Sequence, residues 1–595
     1  MSLLVLVAVI NIFYAHVTTK EIEKEDDRTT YVCFQGNCVA KITLDGLNKS
    51  TNSTTFQSME NCRLLCGKYG NLWPLPTLAG ELGSELVPVS PKKMYLTKEC
   101  CGGEVETFMN EVFEIFRDNL VTECGGDPIA PSSVAVNVRY KVSEENLVLN
   151  MTTNEEYKLR VSHVPGNNID VEIVAKTVFG ARHALETLSQ LTGRRRSPKS
   201  ICSVYMMTSA LIRDKPVFGH RGVLIDTSRH YIPMADLERT IRGMAANKLN
   251  VLHWHATDTH SFPLALSKVP ALAELGAYSP KEVYTEKDIK YLVDYAKFRG
   301  VRILMEIDSP AHAGNGWQFG EQEGLGKLVL CRNSPPWQAS CVQPPCGQMN
   351  PANDNLYKVL GGVYKNLQDL IPSEDIFHMG GDEVHLGCWN SSDEIINYMR
   401  LRKYPRTTEG FMQLWTEFHK KALQTWDAAI GHSNTKVVLW TSDLTRPETI
   451  TNSLDKDRYI IEAWTSQFDS IPRELIALGY GLIYASTDVW YLDHGFWGNT
   501  LYHNWKKVYD YKIPEFPKVL GGEVSLWSEY ADSNNMDTRI WPRASALAER
   551  LWSSPTTDSS VATYRLLEMR ERMIRRGIAV DQIIPQWCYL NEGLC

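Results

Sequence analysis

Basic runs are missing from this 595-residue chain: 62 Lys and Arg face 70 Asp and Glu, a formal net charge of -8, and no cluster is long enough to track a phosphate backbone. That excludes nucleic acid as the expected partner. Also missing is any apolar stretch of the roughly 20 residues that a membrane span needs. The nearest approach, Leu3 to Tyr14 in MSLLVLVAVINIFYAHVTT, is too short, has no Lys or Arg before Lys20, and gives way to small and polar residues. Residues 1–19 therefore read as a secretory signal peptide. The fourteen cysteines lack the second CxxC or neighbouring His of a zinc site. Even in number, with close neighbours at Cys33 and Cys38, Cys62 and Cys66, Cys341 and Cys346, and Cys588 and Cys595, they read as disulfides whose connectivity stays open. Sequons at Asn48, Asn52, Asn150 and Asn390 suit the same export route, to a secreted or lysosomal destination.

What is present divides the chain into segments. Residues 20–70 are rich in Thr, Ser and Asn, without sustained periodicity, and form a Cys-stapled extension. Residues 71–215 alternate strand-like stretches (VAVNVRYKV, YKLRVSHV) with helical ones (VETFMNEVFEIFRDNL, GARHALETLSQL), which predicts a smaller α+β domain. The basic, breaker-rich GRRRSPKS from Gly193 to Ser200 reads as a solvated linker or loop. From residue 216 to 595 one theme recurs: an apolar run, a polar cluster at its end, then a helical stretch. Eight runs follow it, namely GVLIDTSRH, NVLHWHATD, VRILMEIDSP, DIFHMGGDE, VVLWTSD, YIIEAWTS, LIYASTDVWYLD and KVLGGEVSLWSE. Eight β-α units predict an α/β fold, a (β/α)8 TIM barrel with insertions, whose active site lies at the strand C-termini.

Polar residues gather at those ends: Asp226 and Arg229, Asp258, Asp308 and His312, Asp382 and Glu383, Tyr491 and Asp493, and Glu529. With Trp440, Trp464 and Trp527 nearby they predict a sugar pocket, since aromatic faces pack on the C–H faces of sugar rings while carboxylates take the hydroxyls. Glycoside hydrolysis needs a protonated carboxyl at the leaving oxygen and a second group at the anomeric centre. Asp382 and Glu383 are adjacent, and even with a bend allowed by Gly380-Gly381 they cannot readily flank one bond. A substrate acetamido group acting as nucleophile resolves this, with one carboxylate as acid and its neighbour steering the amide.

The motifs HMGGDEV, RGVLIDTSRHY, KLNVLHWHATDTHSFP, WYLD, GGEVSLWSE and WPRASALAERLW closely resemble glycoside hydrolase family twenty, and within it the arthropod enzymes that act on chitin oligosaccharides. The resemblance runs from about residue 70 to the C-terminus. It implies removal of terminal β-linked N-acetylglucosamine, and of N-acetylgalactosamine, from an oligosaccharide or glycoconjugate through an oxazolinium ion with retention of configuration. It further implies that Glu383 is the acid, that Asp382 holds the acetamido N–H, and that Tyr491 binds the acetamido oxygen. Trp440, Trp464 and Trp527 would enclose the methyl group and sugar face, Arg229, Asp493 and Glu529 the hydroxyls, and Asp258 and His312 would support the acid. Trp337 and Val342 match the pattern of an outer subsite.

Gln343 departs from it, standing where chitin-specialised relatives carry Glu. The loop GFWGNTLYHNW looks shorter than theirs and lacks a clear counterpart of one Trp, for which Trp497 is a candidate substitute. Chitin oligosaccharides and N-glycans therefore both stay open as substrates. No cofactor or metal is expected, although His253-Trp254-His255 places two imidazoles on one strand face, the weak mark of a metal hydrolase. A glycan-binding protein without chemistry is the other rival, and intact Asp382 and Glu383 argue against it. Relatives of this kind often dimerise, so a homodimer is compatible with the sequence.

Overall fold

The computed structural model describes residues 29–42, 55–56, 58–126, 132–166, 168–196, 202–372, 375–493, 495–497 and 501–595. The signal segment and the sequons at Asn48 and Asn52 lie outside the described residues. Eight strands close a barrel in chain order: β1 His220–Asp226, β2 Val251–His255, β3 Arg302–Glu306, β4 Ile376–His378, β5 Lys436–Trp440, β6 Tyr459–Ala463, β7 Gly481–Tyr484 and β8 Val519–Leu526. Every adjacent pair, including β8 with β1, is parallel. Strands covered on both faces read as continuous apolar runs, which is why all eight could be picked out. The amphipathic stretches between them supply the outer helices, among them Met234–Ala246, Glu286–Lys297 and Asp354–Leu370. Glu286–Lys297 starts at a Thr285/Asp288 capping box.

Alternation along the strands sends every second side chain inward, and the interior fills in layers. At the N-terminal end Val251, Leu304, Ile376, Val438, Ile460 and Ile483 form an apolar plug. One step higher the inward positions are His253, Glu306, His378, Glu462 and Glu523, all fully buried. Above them Leu224, Trp440 and Ala485 pack with Trp464, Tyr491 and Trp527. The outward residues, such as Leu252, Trp254, Ile303, Met305 and Phe377, join the large core beneath the helices.

The segment ahead of the barrel folds around a six-stranded sheet with helices Gly103–Glu123 and Val178–Gln190. Its strand Val136–Val142 alternates buried and less buried residues, as a sheet with one covered face requires. The stapled extension contains a hairpin, Thr29–Phe34 with Asn37–Ile42, and a helix, Met59–Leu65. Disulfides join Cys33 to Cys66 and Cys38 to Cys62, fastening hairpin to helix. The others are Cys100–Cys101, Cys124–Cys202, Cys331–Cys388, Cys341–Cys346 and Cys588–Cys595, which uses all fourteen cysteines.

One expectation fails here. Gly193 to Arg196 is not a solvated loop: it belongs to strand Thr192–Arg196, and Arg194 is buried against Glu60 and Glu123. Glu123 also pairs with Arg572 (2.9 Å) and Arg576 (2.7 Å), from the long helix Ser559–Arg575 and its C-cap. Arg194 is thus one member of a buried ion cluster, and a buried cation needs such partners. Similar contacts close the rest of the seam: Arg221 Nη2 donates to Glu155 (2.7 Å), while Lys248 and the Trp552 indole N–H reach Asp214 (both 2.9 Å).

Candidate active site

A cavity of about 520 Å³ opens at the C-terminal end of the barrel. Its lining includes Arg229, His312, Val342, Asp382, Glu383, Trp464, Tyr491, Asp493, Trp527 and Glu529. Trp337 lines an adjoining cavity of about 740 Å³ that shares Arg229, Trp497 and Glu529 with the first. Two residues of the expected set lie outside both linings. Asp258 stands behind His312 and Arg229, and Trp440 is 1% exposed beneath Trp527, ring centroids 5.9 Å apart.

The acid side begins where β4 stops. Gly380 (φ 64°) and Gly381 (φ 95°) turn the chain just past His378 and Met379, and a Cβ on Gly380 would collide with Asp308 Oδ1. Glu383 follows at φ 50°, in the left-handed region that a side-chain-bearing residue occupies only when its surroundings enforce it. His312, its partner, sits at φ 53°. His312 Nε2 lies 3.0 Å from Glu383 Oε2, and His312 Nδ1 lies 3.0 Å from Asp258 Oδ2. Asp258 also accepts from Arg229 Nη2 (2.9 Å), Thr259 N (2.5 Å) and Thr259 Oγ1 (2.7 Å). Burial works against its charge, but Arg229 and His312 prevail and hold it well below the usual carboxylate range. Asp258 and Asp308 in turn keep His312 protonated despite burial.

Asp382 behaves in the opposite way. Burial and then the neighbouring charge of Asp308 push it well above the usual range, while Asp308 itself is pushed up to about 7 by burial, with Glu306 adding to the rise. Burial and like charge together disfavour ionisation of both carboxyls at once.

Across the pocket the pattern is one of open valences. Arg229 Nε, Asp493 Oδ1 and Glu529 Oε2 are buried atoms without a hydrogen-bond partner among the described residues. Asp493 takes one bond, from Gly495 N (2.7 Å), and burial followed by the charge of Glu529 lifts it to about 7. Burial likewise raises Glu529. The wall between the two sides is aromatic. Arg229 lies over the Trp527 ring at 5.2 Å, Tyr491 is 6.1 Å from Trp527, and the Trp464 indole N–H is tied to Thr441 O at 2.6 Å.

A pocket that pairs a His-linked carboxyl with a second carboxyl, an aromatic wall and unpartnered polar atoms has the chemistry to bind a sugar. Comparison with known proteins agrees: the profile of "Glycosyl hydrolase family 20, catalytic domain" matches residues 218–555. The chain belongs to glycosyl hydrolase family 20. It is a β-N-acetylhexosaminidase, hydrolysing terminal N-acetylglucosamine. Residues 72–191 match a second profile, "beta-acetyl hexosaminidase like". The chain is 39% identical to the chitooligosaccharidolytic β-N-acetylglucosaminidase of Ostrinia furnacalis, with 98% of each chain covered. It is 31% identical to the β-hexosaminidase subunit beta of Homo sapiens, covering 87% of this chain and 89% of that one. Among solved structures the Flavobacterium johnsoniae chitobiase shares the fold, with a TM-score of 0.66 at 23% identity over 85% of this chain and 73% of that one.

The mouth of the family 20 pocket adds residues the sequence did not flag. Thr487, Asp488, Leu501, His503 and Lys507 line it together with Gln343 and Val342. They come from the loop after β7 and from helix Trp505–Asp510, whose sequence carries no motif that would single them out. Trp337 and Trp497, 5.5 Å apart and edge-on, stand together at the outer cavity. The sequon Asn390 is exposed, its Oδ1 accepting from Arg406 Nε (2.7 Å), and the half-buried Asn150 accepts from its own sequon residue Thr152.

Proposed function

We propose that this hexosaminidase works by substrate assistance with retention. Glu383 protonates the leaving oxygen while the substrate's acetamido oxygen attacks the anomeric carbon. The glycosidic bond breaks as the oxazolinium ring closes, and the alcohol departs with the Glu383 proton. Water then attacks the anomeric carbon, giving its proton to Glu383, and the ring opens back to the acetamide. Asp382 accepts the acetamido N–H, a bond that favours its ionised form and lowers its raised pKa once substrate is bound. Tyr491 donates to the acetamido oxygen, and Trp464 and Trp527, the latter backed by Trp440, enclose the methyl group. Arg229, Asp493 and Glu529 hold the ring hydroxyls.

The observation that supports this reading best is the set of unpartnered atoms on the last three residues, because buried polar atoms without partners are costly unless a ligand completes them. Seven disulfides further favour action outside the reducing cytoplasm, in keeping with a secretory leader. The proposed natural substrate is a chitin oligosaccharide, by likeness to the Ostrinia furnacalis enzyme. Gln343 at the mouth marks the alternative, a glycoprotein N-glycan.

Two rate comparisons test the proposal. An aryl N-acetylglucosaminide should be cleaved far faster than the matching aryl glucoside, and equal rates would sink the assisted mechanism. Faster release of N-acetylglucosamine from chitotriose than from a biantennary N-glycan is the expected result, and the reverse order would move the enzyme to glycoprotein trimming.

A further inference from the structure

We infer that Glu306, which lies outside the pocket, is a positioning residue that sets the acid chain and the aromatic wall at once. It closes β3 and is fully buried in the polar layer of the barrel. Its Oε2 accepts from His255 Nδ1 (2.6 Å) and His253 Nε2 (3.0 Å). Its Oε1 accepts from Trp440 Nε1 (2.7 Å) and lies 3.3 Å from His378 Nδ1. One carboxylate therefore links β2 and β5 by hydrogen bonds and lies against His378 of β4. From His255 the connection continues upward, Nε2 to Asp258 Oδ2 (3.3 Å), then to His312 and Glu383. From Trp440 it continues to Trp527 in the pocket wall. His378 Nδ1 also accepts from Gly380 N (3.0 Å), which fixes the start of the turn carrying Asp382 and Glu383.

The charges around it are those of a balanced column rather than scattered scaffold polarity. His253 is shared between Glu306 and Glu523 (2.7 Å), and both of its neighbours keep it protonated against burial. Glu306, Asp258 and Asp226 hold His255 up to about 10 despite burial, while His255 and His253 hold Glu306 well below its usual range against burial; His378, pushed down to about 4 by burial, is neutral. Asp308, at the end of the same strand, comes close to Glu306 and His255, and Glu462 on β6 is pushed upward by burial and by Glu523. His253 and His255 thus both face Glu306, with Glu523 and Asp258 as their other carboxylates, and loss of Glu306 takes a partner from two buried imidazoliums at once.

The inference rests on Glu383 being the acid, and the experiment separates the two. Steady-state rates across pH are measured for Glu306→Gln, Glu306→Ala and Glu383→Gln, with aryl N-acetylglucosaminides of good and poor leaving groups. Glu306→Gln keeps an acceptor for Trp440 but not the charge facing His255. Its kcat with the poor leaving group should fall by about 10- to 100-fold, the scale on which misplacing a catalytic group acts. The loss should be smaller with the good one, and KM nearly unchanged. Removing a negative charge from the column makes the protonated groups linked to it stronger acids, so the alkaline limb of kcat should move to lower pH. Glu306→Ala should add a rise in KM by freeing Trp440.

A folded Glu306→Gln with wild-type kcat, KM and pH profile would overturn the inference, as would a loss independent of leaving group and pH. If Glu383→Gln instead retains full rate on the poor leaving group, the acid assignment fails on its own. Should Glu306→Gln not fold, His255→Gln cuts the chain one link higher while leaving the Trp440 bond. The same leaving-group dependence is then expected, and its absence counts against Glu306.

Discussion

The two sides of the pocket are built on opposite rules. On the acid side Glu383, His312, Asp258 and Arg229 form an unbroken chain of contacts near 3 Å, held by two residues in left-handed backbone. On the other side Asp493 Oδ1, Glu529 Oε2 and Arg229 Nε are without a partner among the described residues. The difference teaches where preorganisation is needed. Under the proposed mechanism, the proton to be delivered is held by the protein's own network, whereas the groups assigned to the ring hydroxyls are left for the substrate to satisfy. Arg229 belongs to both, bonded to Asp258 through one nitrogen and open at another.

Breaking the acid side should have the largest effect. Glu383→Gln is expected to lower kcat on the order of 10²- to 10⁴-fold, measured with a poor leaving group. On the open side, Asp493→Ala or Glu529→Ala should lower kcat/KM by about 10- to 100-fold, because each leaves a sugar hydroxyl without its acceptor, worth roughly 1–3 kcal/mol. The alkaline limb should stay in place, and a shifted limb would show that the two sides are not separable.

The carboxylate pair between them predicts a smaller change. Asp308→Asn removes the charge that, after burial, raises Asp382, so the acid limb of kcat/KM should move to lower pH. An unmoved limb would mean that burial alone sets it. The smallest effect is on stability. Unfolded Asp493 loses its proton near about pH 4, whereas the folded carboxyl keeps it to about 7, so between these values the native state binds more protons and stability falls as pH rises. Asp493→Asn removes that contribution. Its Tm should therefore drop less than that of the wild type between about pH 5 and about pH 7.5, read by thermal melts without ligand.

Much of this was legible because parallel barrel strands advertise themselves. Runs such as VRILMEIDSP are largely apolar and carry at their ends polar residues that line the pocket, here Asp308, so strand order and strand ends could be read together. The Gly380-Gly381 bend was legible too, since only glycine tolerates the close approach to Asp308. The polar layer was not. Glu306, Glu462 and Glu523 sit singly inside apolar strands, and nothing local says that barrel closure brings them to the same imidazoles. Asp258 was picked out as a strand-end acid, yet its place behind His312 depends on how two loops fold over each other. Arg194 was misread for the same reason: its counter-charges, Glu60 and Glu123, come from distant segments, and a charge run without visible partners looks like a surface.

That cluster of arginines has a bearing on modularity. Arg221, Lys248, Arg572 and Arg576 all belong to the barrel half of the chain, and their counter-charges Glu155, Asp214 and Glu123 all belong to the segment before it. The smaller domain thus serves as a fixed counter-ion for the larger. A barrel excised near residue 216 would carry four cations stripped of their carboxylates, which would make it an insoluble fragment rather than a minimal enzyme.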